Sequence, residues 1–204
     1  MVSPPEVLIL CTANVCRSPM AQALLSDRLA ALGQAVTVRS GGRLGDGEPP
    51  RPETITAMAG YGLDIASHRS RRVTVDDLER ADLTLAMARE NLRFAVVTAP
   101  AIWPRAFTIP ELVRRGQAIG RRLPGESLAG WLARAHTGRE RAALLGDSRD
   151  DDVADPTGGP QRGYTETAAI LSGLAGQLVR LCWEAGSDGS TGEPGRGLAT
   201  GSRG

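Results

Sequence analysis

Apolar positions along this chain follow two periods. Val7-Leu8-Ile9-Leu10 is a short unbroken apolar run, which predicts a first strand buried on both faces. From about Pro19 to Leu32 the spacing is helical, with Ala21, Leu24, Leu25, Leu29 and Leu32 on one face. Pro19 falls in the first turn, where a missing N–H costs nothing, and Gly33 marks the stop. Val36-Thr37-Val38 predicts a second short strand ending at Arg39-Ser40, and the glycines and prolines of residues 41–52 predict a loop. A helix is expected from Pro52 to Tyr61, closed by Gly62. Asp82–Met87 reads as a third strand, with a helix from Arg89 onward, and Phe107-Thr108-Ile109 as a fourth strand before Pro110. Residues 164–185 form the last long helix, with Ile170, Leu171, Leu174, Leu178 and Leu181 spaced to pack on the sheet. Between them, residues 110–150 show weaker order, with apolar-periodic stretches near Leu128–Ala135 and Glu140–Leu145. Strands alternating with helices imply an α/β fold, a three-layer α/β/α sandwich around a mostly four-stranded parallel sheet. Ligands in such folds bind at the carboxyl ends of strands.

The composition sets bounds on this picture. The 204 residues are 41% hydrophobic, enough for one compact domain with a full core. We expect that domain over residues 1–185, with an arginine-rich insertion at about 100–150, followed by a flexible Gly/Ser-rich tail over residues 186–204. A net charge of +1 gives no global case for nucleic acid or membrane binding. No apolar stretch approaches the ~18–20 residues that span a bilayer. The run at Val7 is too short for a signal peptide and lacks a basic flank. All 24 basic residues are arginine, and from Arg105 to Arg141 eight arginines face three glutamates. That segment reads as a solvated face on short helices or as a docking patch for an acidic partner. Three cysteines do not make a disulfide scaffold, and a reactive thiol points to a reducing, cytoplasmic setting.

The chemistry concentrates in Cys11-Thr12-Ala13-Asn14-Val15-Cys16-Arg17-Ser18. The first strand ends on a cysteine, five residues separate it from an arginine, and a helical pattern follows. This is the layout of a loop that wraps an oxyanion, with Cys11 attacking the central atom and Arg17 gripping two equatorial oxygens. The amides of residues 12 to 17 can converge into an anion nest at a helix N-terminus. That field, the charge of Arg17 and a hydrogen bond from Ser18 all favour the Cys11 thiolate. Thr12, Ala13, Asn14, Val15, Cys16 and Ser18 are therefore expected to bind substrate. Asn14 suits a left-handed loop position, and Ser40 at the end of the second strand can brace it. A phosphocysteine route also needs an acid for the leaving oxygen and then a base for water. Asp155, before Pro156 and in a loop with Gly158 and Gly159, leads for that role, with Asp150, Asp151 and Asp152 as competitors. No His/Cys/Asp cluster has zinc spacing, and no metal or organic cofactor is expected.

Taken together these residues resemble the low-molecular-weight protein tyrosine phosphatases. Cys11 to Ala21 carries the resemblance most closely. Further matches are Val38-Arg39-Ser40-Gly41-Gly42, Ser67-His68-Arg69, Ala81 to Met87 with Arg89-Glu90-Asn91-Leu92, and Asp155-Pro156-Thr157-Gly158-Gly159. The resemblance runs over residues 6–98 and again over 150–183. It implies Cys11, Arg17 and Asp155 as the catalytic residues, with His68 supporting the loop network beside Asn14 and Ser40. It also implies that Cys16 can form a protective disulfide with Cys11 on oxidation. It gives Cys182 no role.

The departures concern the substrate. Family members acting on phosphotyrosine usually carry an aromatic residue after the Asp-Pro and another in the loop after the second strand. Here Thr157 takes the first place and Arg43–Glu48 contains no ring. Arg43, Leu44, Trp103 or Trp131 would have to supply a wall. Ala13 replaces a usual glycine, and Ala88 a usual aspartate. The expected reaction is hydrolysis of a phosphorylated protein, first phosphotyrosine and alternatively phosphoarginine. Thioredoxin-coupled arsenate reductases of related type need two more cysteines, which the 80–100 region lacks. A catalytically silent phosphoresidue-binding domain would need neither the thiolate nor the acid.

Overall fold

The computed structural model describes residues 3–184; the tail expected over residues 186–204 lies outside them. Four strands form a parallel sheet: β1 (Glu6–Cys11), β2 (Thr37–Gly42), β3 (Leu83–Ala86) and β4 (Ala106–Thr108). Their order across the sheet is β2-β1-β3-β4. Between and after them run α1 (Arg17–Ala31), α2 (Pro52–Ala59), α3 (Val75–Arg80), α4 (Arg89–Thr98), α5 (Ile109–Ile119), α6 (Leu128–His136) and α7 (Gln161–Cys182). The fold is α/β, as the alternation of periods implies.

β1 is central and apolar on both faces, so its side chains feed two cores. Val7, Ile9 and Cys11 face a core built with Leu25 and Leu29 of α1 and with Leu171 and Leu178 of α7. Leu8 and Leu10 face a second core with Leu78 of α3, Leu92 and Val96 of α4, and Ile102. These opposed cores make the three layers. β1 is paired on both sides, Leu10 lying beside Gly41 of β2 and Ala86 of β3. This registers its end, Cys11, at the carboxyl edge of the sheet.

The second strand runs further than its apolar residues predict, to Gly42 instead of stopping at Ser40. The glycines read as loop formers are in the strand because the cysteine loop folds over them. A Cβ at Gly42 would come within 2.9 Å of the Ala13 carbonyl carbon and 3.0 Å of Asn14. Only a residue without a side chain lets strand and loop approach so closely.

The insertion is more regular than expected. Pro110, read as the end of a strand, sits in the first turn of α5, and Thr108 caps that helix by accepting from the Glu111 amide at 3.2 Å. Gly116 lies within α5 where a Cβ would meet Leu181 at 2.8 Å and Trp131 at 2.9 Å, so its bare surface lets α5 seat on α6 and α7. The arginines of residues 105–141 are not merely a solvated face. Seven of the eight donate to described residues. Arg122 and Arg134 satisfy the carbonyls of Cys182 and Ile119 at helix ends. Arg139 is held by Glu111 through two hydrogen bonds and lies against the rings of Trp103 and Phe107, 3.8 and 3.9 Å from their centroids. No helix among the described residues is long and apolar enough to cross a membrane.

Candidate active site

The loop from Cys11 to Arg17 closes under one residue with an unusual backbone. Asn14 has φ of +57°, the left-handed region that asparagine tolerates better than other residues with side chains. It is fully buried, and its hydrogen bonds account for that burial. The amide group donates to Ser18 Oγ and to Ser40 Oγ, each at 2.9 Å. Oδ1 accepts from the Arg71 amide at 3.0 Å, which fixes which way the amide faces. The backbone carbonyl lies 2.8 Å from His68 Nε2, so that nitrogen carries the proton.

The directions of these bonds propagate. Both Asn14 protons point at hydroxyl oxygens, so each serine must send its own proton elsewhere. Ser40 donates to Gln22 Oε1 at 2.6 Å. Ser18 Oγ lies 3.0 Å from Cys11 Sγ and is left to donate to it. The Asn14 amide also donates to that sulfur, at 3.2 Å. The amides of Ala13, Val15 and Cys16 find no acceptor among the described residues. A loop with its N–H groups unspent at the head of α1 is an anion-binding arrangement.

Arg17 is buried, and both ends of its guanidinium are engaged. Nη1 donates to the Val153 carbonyl at 3.0 Å, and Nη2 pairs with Asp155 Oδ2 at 2.5 Å. Residues far apart in sequence thus meet at the strand end. The Asp155 carboxylate is about two-fifths exposed, and its second oxygen accepts from the Thr157 amide and hydroxyl. The three competing aspartates separate by environment. Asp151 is buried against Arg89 and Arg114, and Asp152 accepts from the amides of Arg89 and Ser148. Asp150 offers its backbone carbonyl to Arg114. Of the four, Asp155 is the one paired with Arg17.

The remaining expected residues surround the loop. Thr12 donates to Glu90 Oε1 at 3.1 Å, and its carbonyl accepts from the Leu44 amide at 2.8 Å. The Val15 carbonyl accepts from Arg51 at 3.1 Å. Cys16 is the N-cap of α1, and burial pushes its thiol up to about 12, so it stays protonated at neutral pH. It is a poor nucleophile beside Cys11. The wall offered by tryptophans is corrected by the structure. Trp131 is fully buried with its indole N–H on the Gly120 carbonyl, and Trp103 is packed against Arg139 and His136. Arg43 and Leu44 do lie over the loop, Arg43 pairing with Glu90 at 3.5 Å and Leu44 half exposed.

Sequence reasoning missed Gln22 and Arg71, and gave Arg89, quoted for the resemblance, no role at the site. Gln22 had a signal, since it lies one helical turn beyond Ser18 on the same face. Arg71 contributes through its backbone amide, which no side-chain pattern announces. Among the described residues no three His, Cys, Asp or Glu side chains gather as metal ligands would.

The model of the family described as low molecular weight phosphotyrosine protein phosphatase matches residues 6–114. That span holds Cys11 to Ser18, Ser40 and His68; Asp155 lies beyond it. A probable low molecular weight protein-tyrosine-phosphatase, EpsP of Ralstonia solanacearum, is 38% identical over 106 residues, 52% of this chain and 71% of its own. The protein-arginine-phosphatase of Bacillus subtilis is 30% identical over 109 residues, 53% of this chain and 72% of its own. Among solved structures, the low molecular weight protein tyrosine phosphatase of T. tengcongensis superposes with a TM-score of 0.66 at 33% identity, covering 86% of this chain and 97% of that one. The chain belongs to the low molecular weight phosphatase family, whose members are cysteine-dependent phosphatases.

Proposed function

We propose that this chain hydrolyses phosphotyrosine on proteins through a phosphocysteine intermediate. Cys11 Sγ attacks phosphorus as a thiolate while the free amides of the loop and the Arg17 fork hold the three equatorial oxygens. The bond to the leaving oxygen breaks, and protonated Asp155 gives that oxygen its proton. Asp155, now a carboxylate, takes a proton from water as the water attacks phosphorus, the S–P bond breaks and inorganic phosphate leaves. Ser18 steadies the sulfur in both steps, and Asn14, Ser40 and His68 keep the loop in shape. Thr12, Ala13, Val15 and Cys16 contribute backbone to the phosphate cup. One observation carries the reading: Cys11, with donors from Ser18 and Asn14 on its sulfur, shares a loop with an arginine that is itself paired to Asp155.

A second reading, phosphoarginine, is favoured by two observations. Arg43 and Leu44 over the loop, and Thr157 beside Asp155, include no ring to sandwich a phenyl group, and an arginine phosphatase is among the relatives. Turnover of phosphotyrosine and phosphoarginine peptides side by side, with Cys11→Ser as blank, decides between them. A tyrosine preference supports the first reading; an arginine preference replaces it with the second.

The phosphatase unit is proposed to span residues 1–185, with the arginine-rich segment built into it. The reducing requirement of a catalytic thiol places it in the cytoplasm in this reading. Seven of the eight arginines of the 105–141 segment donate to neutral carbonyls of their own chain, which fixes the side chains without cancelling their charge, and the excess of eight arginines over three glutamates fits an acidic partner for this segment.

A further inference from the structure

The chain just before Asp155 is fastened at three consecutive residues. Asp151 is buried, 5% exposed, and one of its oxygens accepts two hydrogen bonds from a single guanidinium, Arg89 Nε at 3.0 Å and Nη2 at 2.6 Å. The other oxygen lies 2.7 Å from Arg114 Nη2 on α5. Asp152 Oδ1 accepts from the Arg89 amide, the first of α4, at 2.7 Å. That helix has Ala88 at its N-cap and no side-chain cap of its own, so Asp152 supplies the missing acceptor from 63 positions away. Val153 then donates its amide to Met87 at the end of β3, at 2.7 Å, and offers its carbonyl to Arg17. Only Ala154 separates this anchored stretch from Asp155.

We propose that Asp151, gripped by Arg89 and Arg114, is a positioning residue that sets where Asp155 meets the leaving oxygen, and so connects α5 of the arginine-rich insert to proton transfer. This rests on the reading of Asp155 as the acid. The physical argument is one of rigidity. A general acid works only within hydrogen-bond reach of the oxygen it protonates, and small misplacements cost large factors in rate. Asp155 itself is partly exposed, and Arg17 must also serve the phosphate. Its placement therefore depends on the backbone before it. Asp151 holds that backbone with its charge: burial alone would favour the neutral acid, but Arg89 and Arg114 more than offset it and hold its carboxyl below the usual range. The insert thus contributes one guanidinium, that of Arg114, to the anchor.

The test compares turnover of an aryl phosphate, whose leaving group needs little help, with that of an alkyl phosphate, whose leaving group needs a proton. Wild type, Asp151→Asn, Arg114→Gln and Asp155→Ala are measured on both. Asp151→Asn should lose about tenfold more on the alkyl than on the aryl ester, a fraction of the 10²–10⁴ a general acid supplies. Arg114→Gln, at a half-exposed side chain, should show a smaller loss of the same sign. If both variants lower the two substrates equally, or leave them unchanged, while Asp155→Ala is selective, Asp151 has no positioning role and the acid assignment stands. If Asp155→Ala is itself unselective, the acid assignment falls and this inference with it. Should Asp151→Asn fail to fold, as a melt would reveal, Arg114→Gln alone decides by the same criterion.

Discussion

Arg17 Nη2 stands 2.5 Å from Asp155 Oδ2, while the other end of the same guanidinium is fixed to the Val153 carbonyl. The proposed acid and the proposed phosphate clamp therefore share one group. A phosphate dianion entering the loop competes with the Asp155 carboxylate for Arg17, and the two negative charges repel.

Asp155→Ala should consequently have opposite effects on binding and on catalysis. Inhibition by inorganic phosphate should tighten a few-fold, because a competing charge is gone. Turnover of alkyl phosphates should fall by about 10² or more, with a much smaller loss for aryl phosphates carrying good leaving groups. Weaker phosphate inhibition in the variant would contradict the competition.

Asn14 is the second hub. Replacing it with alanine removes the donors to Ser18 and Ser40 and the acceptor for Arg71, and leaves a side chain at φ of +57° without the local bonds that tolerate it. We expect Asn14→Ala to lose about 3 kcal/mol in urea unfolding and most of the activity. Asn14→Gly relieves the backbone and should recover part of the stability, but little of the activity, since Ser18 would no longer be directed at Cys11.

Thiol chemistry should be selective. Burial pushes Cys16 up to about 12 and raises the Cys182 thiol as well, so both remain protonated at pH 7. Iodoacetamide should inactivate the protein with one label, on Cys11, by peptide mapping. Labelling of Cys16 at a similar rate would show that the loop activates both. The disulfide that the family resemblance implies between Cys11 and Cys16 predicts slower recovery from peroxide in Cys16→Ser.

Away from the site, Asp77 gives the fold an acid limit. Burial opposes its charge, but the Thr74 amide and hydroxyl and the Arg71 guanidinium outweigh it, lowering the pKa to about 2. A depressed carboxylate stabilises the fold above its unfolded pKa, and that contribution disappears as pH falls toward the folded value. It is worth about 2 kcal/mol at neutral pH. The stability gap between wild type and Asp77→Asn should be full at pH 7 and shrink between pH 4 and 2. A gap that does not change with pH would show that the contribution is packing alone.

These features were unequally legible in the sequence. β1 and the loop after it were plain, because a buried strand, a cysteine, an arginine and a helix start all lie within a dozen residues. The contacts that complete the site are long-range: Arg17 reaches Val153 and Asp155, and Asn14 reaches His68 and Arg71. Asp155 led its neighbours through Pro156, Gly158 and Gly159, and the family resemblance strengthened that choice. β2 was cut short because Gly41 and Gly42 carry no strand signal, and their reason for being there is the loop packed on them. α5 was missed because a proline that opens a helix looks the same in sequence as one that ends a strand. α3, six residues long, shows no apolar period, though its Thr74–Asp77 capping box was readable.

The most direct test of the central claim is hydrolysis of a phosphotyrosine peptide by wild type and by Cys11→Ser, with phosphate binding to each measured in parallel. The account predicts turnover by wild type and none by Cys11→Ser, which should still bind phosphate because the loop amides and Arg17 remain. Turnover by Cys11→Ser comparable to wild type would rule out the phosphocysteine, and an inactive wild type that binds phosphate would make the loop a phosphoresidue-binding site.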